Sequence, residues 1–292
     1  MQMSQQVTRD RLTRLGASDI PIILGLSPYA NAYTLHLEKT GQLEEWIGND
    51  ATEDGKLFEP VILTKAEQKL GRIERDVFFP CPLGNPIGST TDGIVIENGH
   101  VVEAKTSGMG DRPVVGQWGV EGTNEIPEQY LVQVQVQMHC AKTDTAHVAA
   151  WLGHRGIKYY RVERDQEVID QIIAMASSWW QKHVIEGVAP SASDPPPVEV
   201  FKRLKREPSK VVSLKKSVDK LVERWEKAKA KESKAKDAQE KIKAQLLLSL
   251  KDAEQGVTPG GIVLTYFESE RRGYTVQPSK TRTFRVSKKK GD

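Results

Sequence analysis

The sequence predicts an α/β fold in which a mixed central sheet is flanked by helices. Up to about Pro190, short apolar runs suited to strands alternate with helical patterns and with glycine and proline punctuation. Three consecutive prolines follow at 195–197, and beyond them the chain is rich in lysine and helical in pattern. We therefore predict a folded domain over 1–190, a proline-rich linker over 191–200 and a C-terminal extension over 201–292.

The composition argues against disulfide-rich proteins, proteins with a four-cysteine metal site and membrane proteins. The chain has 292 residues, of which 38% are hydrophobic, enough for one sizeable core. Its two cysteines, Cys81 and Cys140, are too few for a disulfide framework or a four-cysteine metal site, and we expect both to be reduced core residues. The N-terminus does not resemble a signal peptide, and no apolar run approaches the roughly 20 residues that span a bilayer. We therefore expect a cytoplasmic protein without membrane contact.

The formal net charge is only +3, but basic residues are concentrated near the C-terminus. From Arg271 to Gly291 there are eight basic residues and no acidic one. Interleaved with Tyr266, Tyr274 and Phe284, basic residues in this region could hold DNA phosphates while the rings stack on unpaired bases. A solvated basic face and a contact surface for a protein partner are the alternatives, and the pattern leaves all three open.

The extension is predicted to begin with a long helix, because its apolar residues alternate spacings of four and three. This seam consists of Leu214, Val218, Leu221, Trp225, Ala228, Ala235, Ile242 and Leu246, and it is interrupted by Glu232 and Gln239. The seam suits either a coiled coil or a helix lying on the folded domain, and we favour the second. Gly256 and Pro259 should end the helix, and Ile262–Phe267 and Arg282–Val286 should then form a β-hairpin.

A second β-hairpin is predicted around Asn98-Gly99, which lies between two β-branched runs. Asn-Gly is the strongest signal for a type I′ turn, since both central residues of that turn have positive φ. A two-residue loop would pair Asp92 with Lys105. Residues two apart on one strand share a face, so Asp92, Glu103 and Lys105 should converge on one side of the hairpin.

Two carboxylates and a lysine on one face suit metal-dependent hydrolysis of phosphodiesters. Carboxylate oxygens are ligands for Mg²⁺, which usually retains several waters and is completed by substrate phosphate. The metal would lower the pKa of a bound water, while the lysine would hold that water or help to deprotonate it and neutralise phosphate oxygens. Such a trio also occurs on ordinary surface hairpins, so the flanking motifs decide its interpretation.

Several separated motifs accompany the trio in order along the chain. They are Gly16–Ile20, Ile23–Tyr29, Tyr33–Gly41, Gly55–Pro60, Thr91–Gly93, Glu103–Thr106 and Pro127–Gln135. Together they resemble the YqaJ-type viral recombinase family, the phage alkaline exonucleases that include the lambda exonuclease, within the restriction-endonuclease-like nuclease superfamily. The resemblance covers about residues 9–185 and implies a restriction-endonuclease-like core for this domain.

Carried over by position, the resemblance assigns roles to the central residues. Asp92, Glu103 and the backbone carbonyl of Ala104 would ligate the metal, and Glu59 would lie nearby and reach it through water. Lys105 would handle the attacking water. Without the resemblance, Glu59 would be interpreted as a first-turn partner of a helix dipole.

Gln133 would lie across the active site on a helix. The alternation of glutamine and valine over 133–137 taken alone favours a strand, whereas Tyr130, Val134 and Met138 fit helical spacing. Periodicity does not decide between them, and the resemblance favours the helix.

The resemblance also implies a pocket for a 5′-terminal phosphate. Ser18 fits the family's serine, although Ser18-Asp19 could equally cap a helix. By spacing, Arg11 is our choice for the family's arginine, with Arg14 as a close rival. Thr90 stands where relatives often have a serine that faces the phosphate.

The stretch Thr106–Ile126 is rich in glycine and is predicted to be a loop beside the site. Relatives carry substrate-contacting loops here. Its Arg112 and Trp118 would therefore either touch DNA or serve structural roles, and the sequence leaves both open.

The resemblance implies a deoxyribonuclease that degrades linear double-stranded DNA from 5′ to 3′ and leaves 3′ overhangs. It would need Mg²⁺, with Mn²⁺ able to substitute, and no ATP, in agreement with the lack of a Gly-x-x-x-x-Gly-Lys-Ser/Thr loop. Its partners would be duplex ends, a single-strand annealing protein and further copies of the chain in a ring such as a trimer. A phage or prophage gene acting in the bacterial host cytoplasm is implied. The rivals are a structure- or end-selective endonuclease of the same superfamily and a non-catalytic DNA-binding recombination module.

Overall fold

The computed structural model describes residues 12–82, 86–191 and 195–268. The chain forms two compact units, one over 1–206 and the other over 207–292. Arg11, Tyr274, Phe284 and the predicted strand Arg282–Val286 lie outside the described residues. Among the described residues, no helix combines the length and the apolar character needed to cross a membrane.

The first unit is built on a mixed sheet, which has six strands in the described ranges. They are β1 (Leu15–Gly16), β2 (Ile73–Pro80), β3 (Ile87–Val95), β4 (Val101–Ser107), β5 (Thr145–Leu152) and β6 (Ile157–Glu163). The pairs β2–β3, β3–β4 and β5–β6 are antiparallel, whereas β1–β3 and β4–β5 are parallel. The predicted α/β class with a mixed central sheet is confirmed.

Helices cover both faces of this sheet. The α-helices of the first unit, in the described ranges, are α1 (Ile20–Ile23), α2 (Ala32–Lys39), α3 (Asp50–Leu70), α4 (Glu128–Ala141), α5 (Gln166–Trp180) and α6 (Val200–Arg203). Ile62 and Leu63 of α3 pack on one face, and Val134 and Met138 of α4 pack on the other. Because β5 is covered on both sides, its sequence is nearly continuous in small and apolar residues instead of alternating, whereas β4, which is also mostly buried, contains Glu103 and Lys105. The charged residues of β4, Glu103 and Lys105, therefore need a special explanation, and both belong to the predicted site.

The hairpin between β3 and β4 is shifted relative to the predicted register. Ile94 pairs with Val101, so the loop is longer than two residues and the predicted pairing of Asp92 with Lys105 is wrong. The shift is two residues. Because side chains alternate between faces with a period of two, an even shift leaves each of them on its predicted side of the sheet.

The turn also differs from the predicted type I′. Gly99 has a positive φ of 75°, but Asn98 does not. The side-chain oxygen of Asn98 instead accepts the N–H of His100 (3.0 Å), so this asparagine closes the turn through its side chain rather than through a left-handed backbone.

The segment after Pro127 is a helix, as the resemblance implied. α4 begins directly after Pro127 and ends at Ala141, and the C-cap residue Lys142 adopts a left-handed conformation with φ 56°. Its glutamines at 133, 135 and 137 are all buried. Alternation along this segment therefore reflects polar contacts on two sides of a helix and not the two faces of a strand.

The first unit extends past the predicted boundary at 190. The carbonyl of Arg203 accepts the N–H of Glu44 (2.7 Å), and the N–H of Lys205 donates to the carbonyl of Gln42 (2.8 Å). The chain thus returns beyond the proline run to hydrogen-bond with the segment that follows α2. Composition marks where the prolines lie, but it does not reveal that later residues pair with the domain.

The second unit begins with α7 (Ser217–Leu250), a helix of 34 residues, so the predicted long helix is found. An antiparallel ribbon follows, formed by β7 (Gln255–Val257) and β8 (Val263–Thr265). The strand predicted within Ile262–Phe267 is present, but within the described residues its partner is β7, a segment that was expected only to end the helix. The turn at Pro259-Gly260-Gly261, with Gly261 at φ 81°, brings these neighbouring segments together.

Candidate active site

The predicted trio lies where β3 and β4 separate. Gly93 still pairs with Val102 across the two strands. One residue earlier on β3, the carboxylate of Asp92 accepts a hydrogen bond from the N–H of Ala104 (2.7 Å). At this point a side-chain hydrogen bond replaces the backbone hydrogen bonds between the two strands. The N–H and C=O of one strand residue point to the same side, so the carbonyl of Ala104 also faces this opening.

Glu103 is a buried carboxylate that is held by three donors. The residue is only 1% exposed. Its Oε1 accepts hydrogen bonds from the ammonium of Lys105 and from Nε2 of Gln133 (2.5 Å), and its Oε2 accepts one from Nε2 of Gln137 (2.5 Å). Both glutamines lie on α4, four residues apart and hence on one helix face. A buried carboxylate is tolerated only when it is paired and hydrogen-bonded, and Glu103 meets both conditions.

The charges of the trio influence one another strongly. Burial raises the pKa of Asp92 well above its usual range, and the nearby charge of Glu103 adds to this effect, while Lys105 opposes it. For Lys105, burial disfavours the charged form, but the carboxylates of Glu103 and Asp92 outweigh burial and raise its pKa above the ordinary value. Lys105 is therefore a cation, better suited to neutralising phosphate oxygens and orienting a water than to accepting a proton.

Glu59 reaches the same site from α3. Together with Asp92, Ala104 and Lys105 it lines a cavity of about 270 Å³. Burial, and then the charges of neighbouring carboxylates, raise the pKa of Glu59. Because Glu59 lies in the middle of a 21-residue helix, the interpretation of this residue as a first-turn dipole partner is wrong.

The donors at this opening fit one divalent cation. The carboxylates of Asp92 and Glu103 and the carbonyl of Ala104 are hard oxygen ligands, and Mg²⁺ usually binds one or two carboxylates and keeps waters. In the described ranges, no three side chains of His, Cys, Asp or Glu come together closely enough to hold a metal ion. A contact of Glu59 with the metal through water stays a prediction. With all three carboxyl groups ionised, the site would carry two negative charges in excess of the Lys105 ammonium, and a divalent cation would neutralise them.

A smaller cavity of about 130 Å³ meets the site at Gln133. Arg14, Ser18 and Thr90 line it, so the structure brings together the predicted phosphate-binding residues that it describes. The parallel pairing of β1 with β3 is the cause, since it sets the first motif beside the strand that carries Thr90. The guanidinium of Arg14 also lies over the ring of Phe78 (4.2 Å).

A buried ion pair supports the turn that carries Ser18. Lys39, at the end of α2, binds the carboxylate of Asp19 (2.6 Å), and the same oxygen accepts the N–H of Gly16 (2.8 Å). Of the pair Ser18-Asp19 that was expected to cap a helix, Asp19 occupies the N-cap of α1, and its side chain forms no capping hydrogen bond there. Ser18 itself is exposed toward the small cavity.

Residues 8–144 match the family model of the YqaJ-like viral recombinase domain. This part of the chain is similar to that family. The matched range contains both cavities and Asp92, Glu103, Lys105 and Gln133, and the family prediction is confirmed for it. The match ends within the range of about 9–185 over which the resemblance was expected.

Similar proteins include both a curated relative and solved structures. The uncharacterized protein YqaJ of Bacillus subtilis (strain 168) is 26% identical over 255 residues, which cover 85% of this chain and 78% of that protein. An alkaline exonuclease (LHK-Exo) from Laribacter hongkongensis is 17% identical, with a TM-score of 0.48, over 62% of this chain and 93% of that one. A phage-related exonuclease from Haemophilus somnus 129PT is 15% identical, with a TM-score of 0.43, over 62% of this chain and all (100%) of that one.

The structure does not bring Arg112 or Trp118 into the site of the YqaJ-like domain. Arg112 forms an ion pair with Asp54 in a separate cavity lined mainly by acidic residues and backbone. Trp118 is 9% exposed, packs against the rings of Tyr130 and Tyr160, and donates its indole N–H to a backbone carbonyl. For Trp118 the structural role is the one found, because a buried ring cannot stack on DNA.

Sequence reasoning missed two residues of the YqaJ-like domain that contact the predicted site. Gln137 bonds to Glu103, and its spacing of four from Gln133 on a predicted helix was an available signal. Lys39 lines the small cavity and pairs with Asp19, but nothing in the local pattern links two residues so far apart along the chain.

Proposed function

We propose that this chain is a deoxyribonuclease, namely a Mg²⁺-dependent, ATP-independent 5′→3′ exonuclease that resects linear double-stranded DNA. The 3′ overhangs it leaves would serve single-strand annealing recombination. The observation that carries the proposal is the convergence of Asp92, Glu103 and Lys105 with the Ala104 carbonyl, where β3 and β4 separate. The match of residues 8–144 to the model of a viral recombinase family supports the role in recombination.

The residues at the point where β3 and β4 separate would have different roles in the proposed reaction. Asp92, Glu103 and the Ala104 carbonyl would hold Mg²⁺, or Mn²⁺ in its place, and Glu59 would reach the metal through water. A bound Mg²⁺ supplies a water of lowered pKa and offsets the charge that develops on the phosphate oxygens. Lys105 is a cation held beside Glu103, so it can orient the attacking water and donate to a non-bridging phosphate oxygen as charge accumulates there.

The small cavity supports the 5′→3′ direction. The guanidinium of Arg14 and the hydroxyls of Ser18 and Thr90 are donors suited to a terminal phosphate. Gln133 lines this cavity while its amide nitrogen binds Glu103. A phosphate in the small cavity would therefore lie next to the bond that is hydrolysed, as removal of nucleotides from a 5′ end requires.

We further propose the setting in which this activity operates. The substrate is the end of a DNA duplex, the product strand passes to a single-strand annealing protein, and copies of the chain assemble into a ring such as a trimer around DNA. The site of action is the bacterial cytoplasm. These elements follow from the family expectation and depend on the nuclease activity being present.

A labelled duplex tests the proposal directly. Linear DNA labelled at either the 5′ or the 3′ end, with and without a 5′-phosphate, is incubated with the full chain in Mg²⁺ or in EDTA. We expect mononucleotides from the 5′-labelled strand, faster release when the 5′-phosphate is present, and no release in EDTA. Nicking of closed circular DNA would instead identify an endonuclease, and binding without cleavage in Mg²⁺ or Mn²⁺ would identify a non-catalytic module.

A further inference from the structure

Gln137 contacts the predicted metal-binding carboxylate from inside the protein core. Its side chain is fully buried at 0% exposed, and its Nε2 donates to Oε2 of Glu103 (2.5 Å). Oε1 of the same carboxylate is occupied by Gln133 and Lys105. Gln137 is thus the only one of the three donors that binds Oε2, among the contacts in the described residues.

The other half of the Gln137 amide has no partner. Its Oε1 is buried and accepts no hydrogen bond from the described residues. A buried acceptor left without a donor destabilises the fold, so a leucine or methionine would suit this part of the core better if packing alone mattered. The contact with Glu103 is the feature that accounts for an amide at this position.

The two neighbouring glutamines of α4 have different tasks. Gln133 binds the same carboxylate but also lines the small cavity, where it can meet substrate. Gln135 faces away, with its Nε2 bound to the carbonyl of Glu163 (2.8 Å) and its Oε1 bound to the N–H of Asp165 (2.9 Å), at the N-cap of α5. Gln137 alone of the three combines full burial with a bond to Glu103, so it can act on chemistry only through that carboxylate.

We propose that Gln137 is a positioning residue that fixes the orientation of the Glu103 carboxylate for binding a divalent cation. The inference rests on the proposed metal-dependent function. A carboxylate on a strand can rotate about its terminal bond, and a donor on Oε2 holds its plane. Loss of such a partner to a metal ligand typically weakens metal affinity or activity by roughly 10–100-fold.

The test measures metal binding without catalysis. Mn²⁺ is titrated into the full chain, and the free ion is followed by electron paramagnetic resonance for wild type and Gln137→Met, a substitution of similar length that removes the donor. We expect the apparent Kd for Mn²⁺ to rise roughly 10–100-fold. In cleavage assays the half-saturating metal concentration should rise by a similar factor, whereas the rate at saturating metal should change far less.

The matched control is Gln135→Met, which removes another buried amide from the same helix without touching Glu103. It should lower thermal stability and leave Mn²⁺ affinity unchanged. Should Gln137→Met not fold, Gln137→Asn keeps an amide that is one methylene too short to reach Glu103 and is measured in the same way. Wild-type affinity in a folded Gln137 variant, or an equal loss in Gln135→Met, would overturn the inference. A wild-type chain that binds no divalent cation would overturn the proposed function instead.

Discussion

At the scale of single residues, the site is a set of buried carboxylates compensated by one ammonium. Glu103 has three donors, whereas Asp92 has the N–H of Ala104 and the more distant charge of Lys105. Asp92 has fewer donors than Glu103 to stabilise its charge, and its pKa is raised because burial and the charge of Glu103 both disfavour its ionised form. Lys105 is consequently needed both to hold Glu103 in the core and to face substrate.

Replacing this ammonium tests its double role. Lys105→Met should slow cleavage by about 10²–10³-fold at saturating metal, because a cation aimed at the developing charge is lost. The same change should lower the melting temperature, since Glu103 loses an ion-pair partner in the core. The control is Lys56→Met, a lysine that lines the same cavity but is exposed; its effect on rate should stay within about tenfold. Equal effects of the two substitutions on rate would contradict the role given to Lys105.

Two histidines give a residue-scale prediction on acid stability. His100 and His147 lie side by side, with Nδ1 of the first 3.1 Å from Nε2 of the second. Burial, and then the charges of His100 and Arg161, lower the pKa of His147 to about 4. The unfolded chain therefore takes up a proton on this residue as pH falls from about 6.5 toward 4 while the folded chain does not, so stability is lost across that window.

His147→Gln removes this titration. Between pH 7 and 4.5 the variant should lose less stability than wild type, by about 1 kcal/mol after allowance for solvent screening of a half-buried group. Denaturant unfolding at several pH values measures the difference. His154→Gln, at an exposed histidine, serves as the control and should follow the wild-type curve. Parallel curves for wild type and His147→Gln would contradict the prediction.

At the scale of elements, the site depends on how β3 and β4 meet, and here sequence reasoning succeeded only in part. Strand alternation placed Asp92, Glu103 and Lys105 on one side of the sheet despite an error of two residues in register, because an even shift preserves the faces. The turn was wrong because a side-chain bond from Asn98 replaced the left-handed backbone that Asn-Gly usually favours. The local sequence pattern does not show which of two alternative hydrogen-bonding arrangements a turn adopts.

A glycine next to Asp92 tests how tightly the strands are packed. A methyl group on Gly93 would lie 2.3 Å from Cγ2 of Ile73 on β2, so the strands must move apart. Gly93→Ala should destabilise the domain by about 1–3 kcal/mol and lower cleavage, because Asp92 is displaced with it.

Gly55→Ala is the matched control for this substitution. Gly55 lies in α3, where an added methyl would only reach ordinary contact with Thr106 Oγ1 at 3.7 Å. Removing a helical glycine should raise stability by about 0.4–1 kcal/mol. Denaturant titration compares the two, and a Gly93→Ala protein as stable as wild type would show that β2 and β3 accommodate the methyl without strain.

At the scale of the whole molecule, long-range pairing set the limits of what sequence could predict. The sequence predicted the mixed sheet and the long helix α7. It predicted the helix that carries Gln133 only through the resemblance to a family. The sequence did not predict that the chain returns to residues 41–44, since nothing in the proline-rich segment indicates a partner some 160 residues away in sequence. The seam on α7, as a coiled coil or as a helix lying on the folded domain, stays a prediction.

Two truncations test the boundary of the first unit. A chain ending at Arg206 should fold and keep metal-dependent cleavage, because the first compact unit contains the whole candidate site. A chain ending at Pro190 loses the hydrogen bonds of Arg203 and Lys205 and should be less stable by about 1–2 kcal/mol, or several degrees in melting temperature. Calorimetry compares the two. Equal melting temperatures would place the boundary at the proline run after all.

The most direct test of the central claim is the metal dependence of phosphodiester cleavage in wild type and Asp92→Asn. Both full-length proteins are first shown to be folded by circular dichroism, and linear 5′-phosphorylated duplex is then digested across a Mg²⁺ titration that starts in EDTA. Our account predicts cleavage by wild type that rises with Mg²⁺ from nothing, and a rate at least about 10³-fold lower for folded Asp92→Asn at every metal concentration. Cleavage by wild type that persists in EDTA, or cleavage by Asp92→Asn at the wild-type rate, would contradict it.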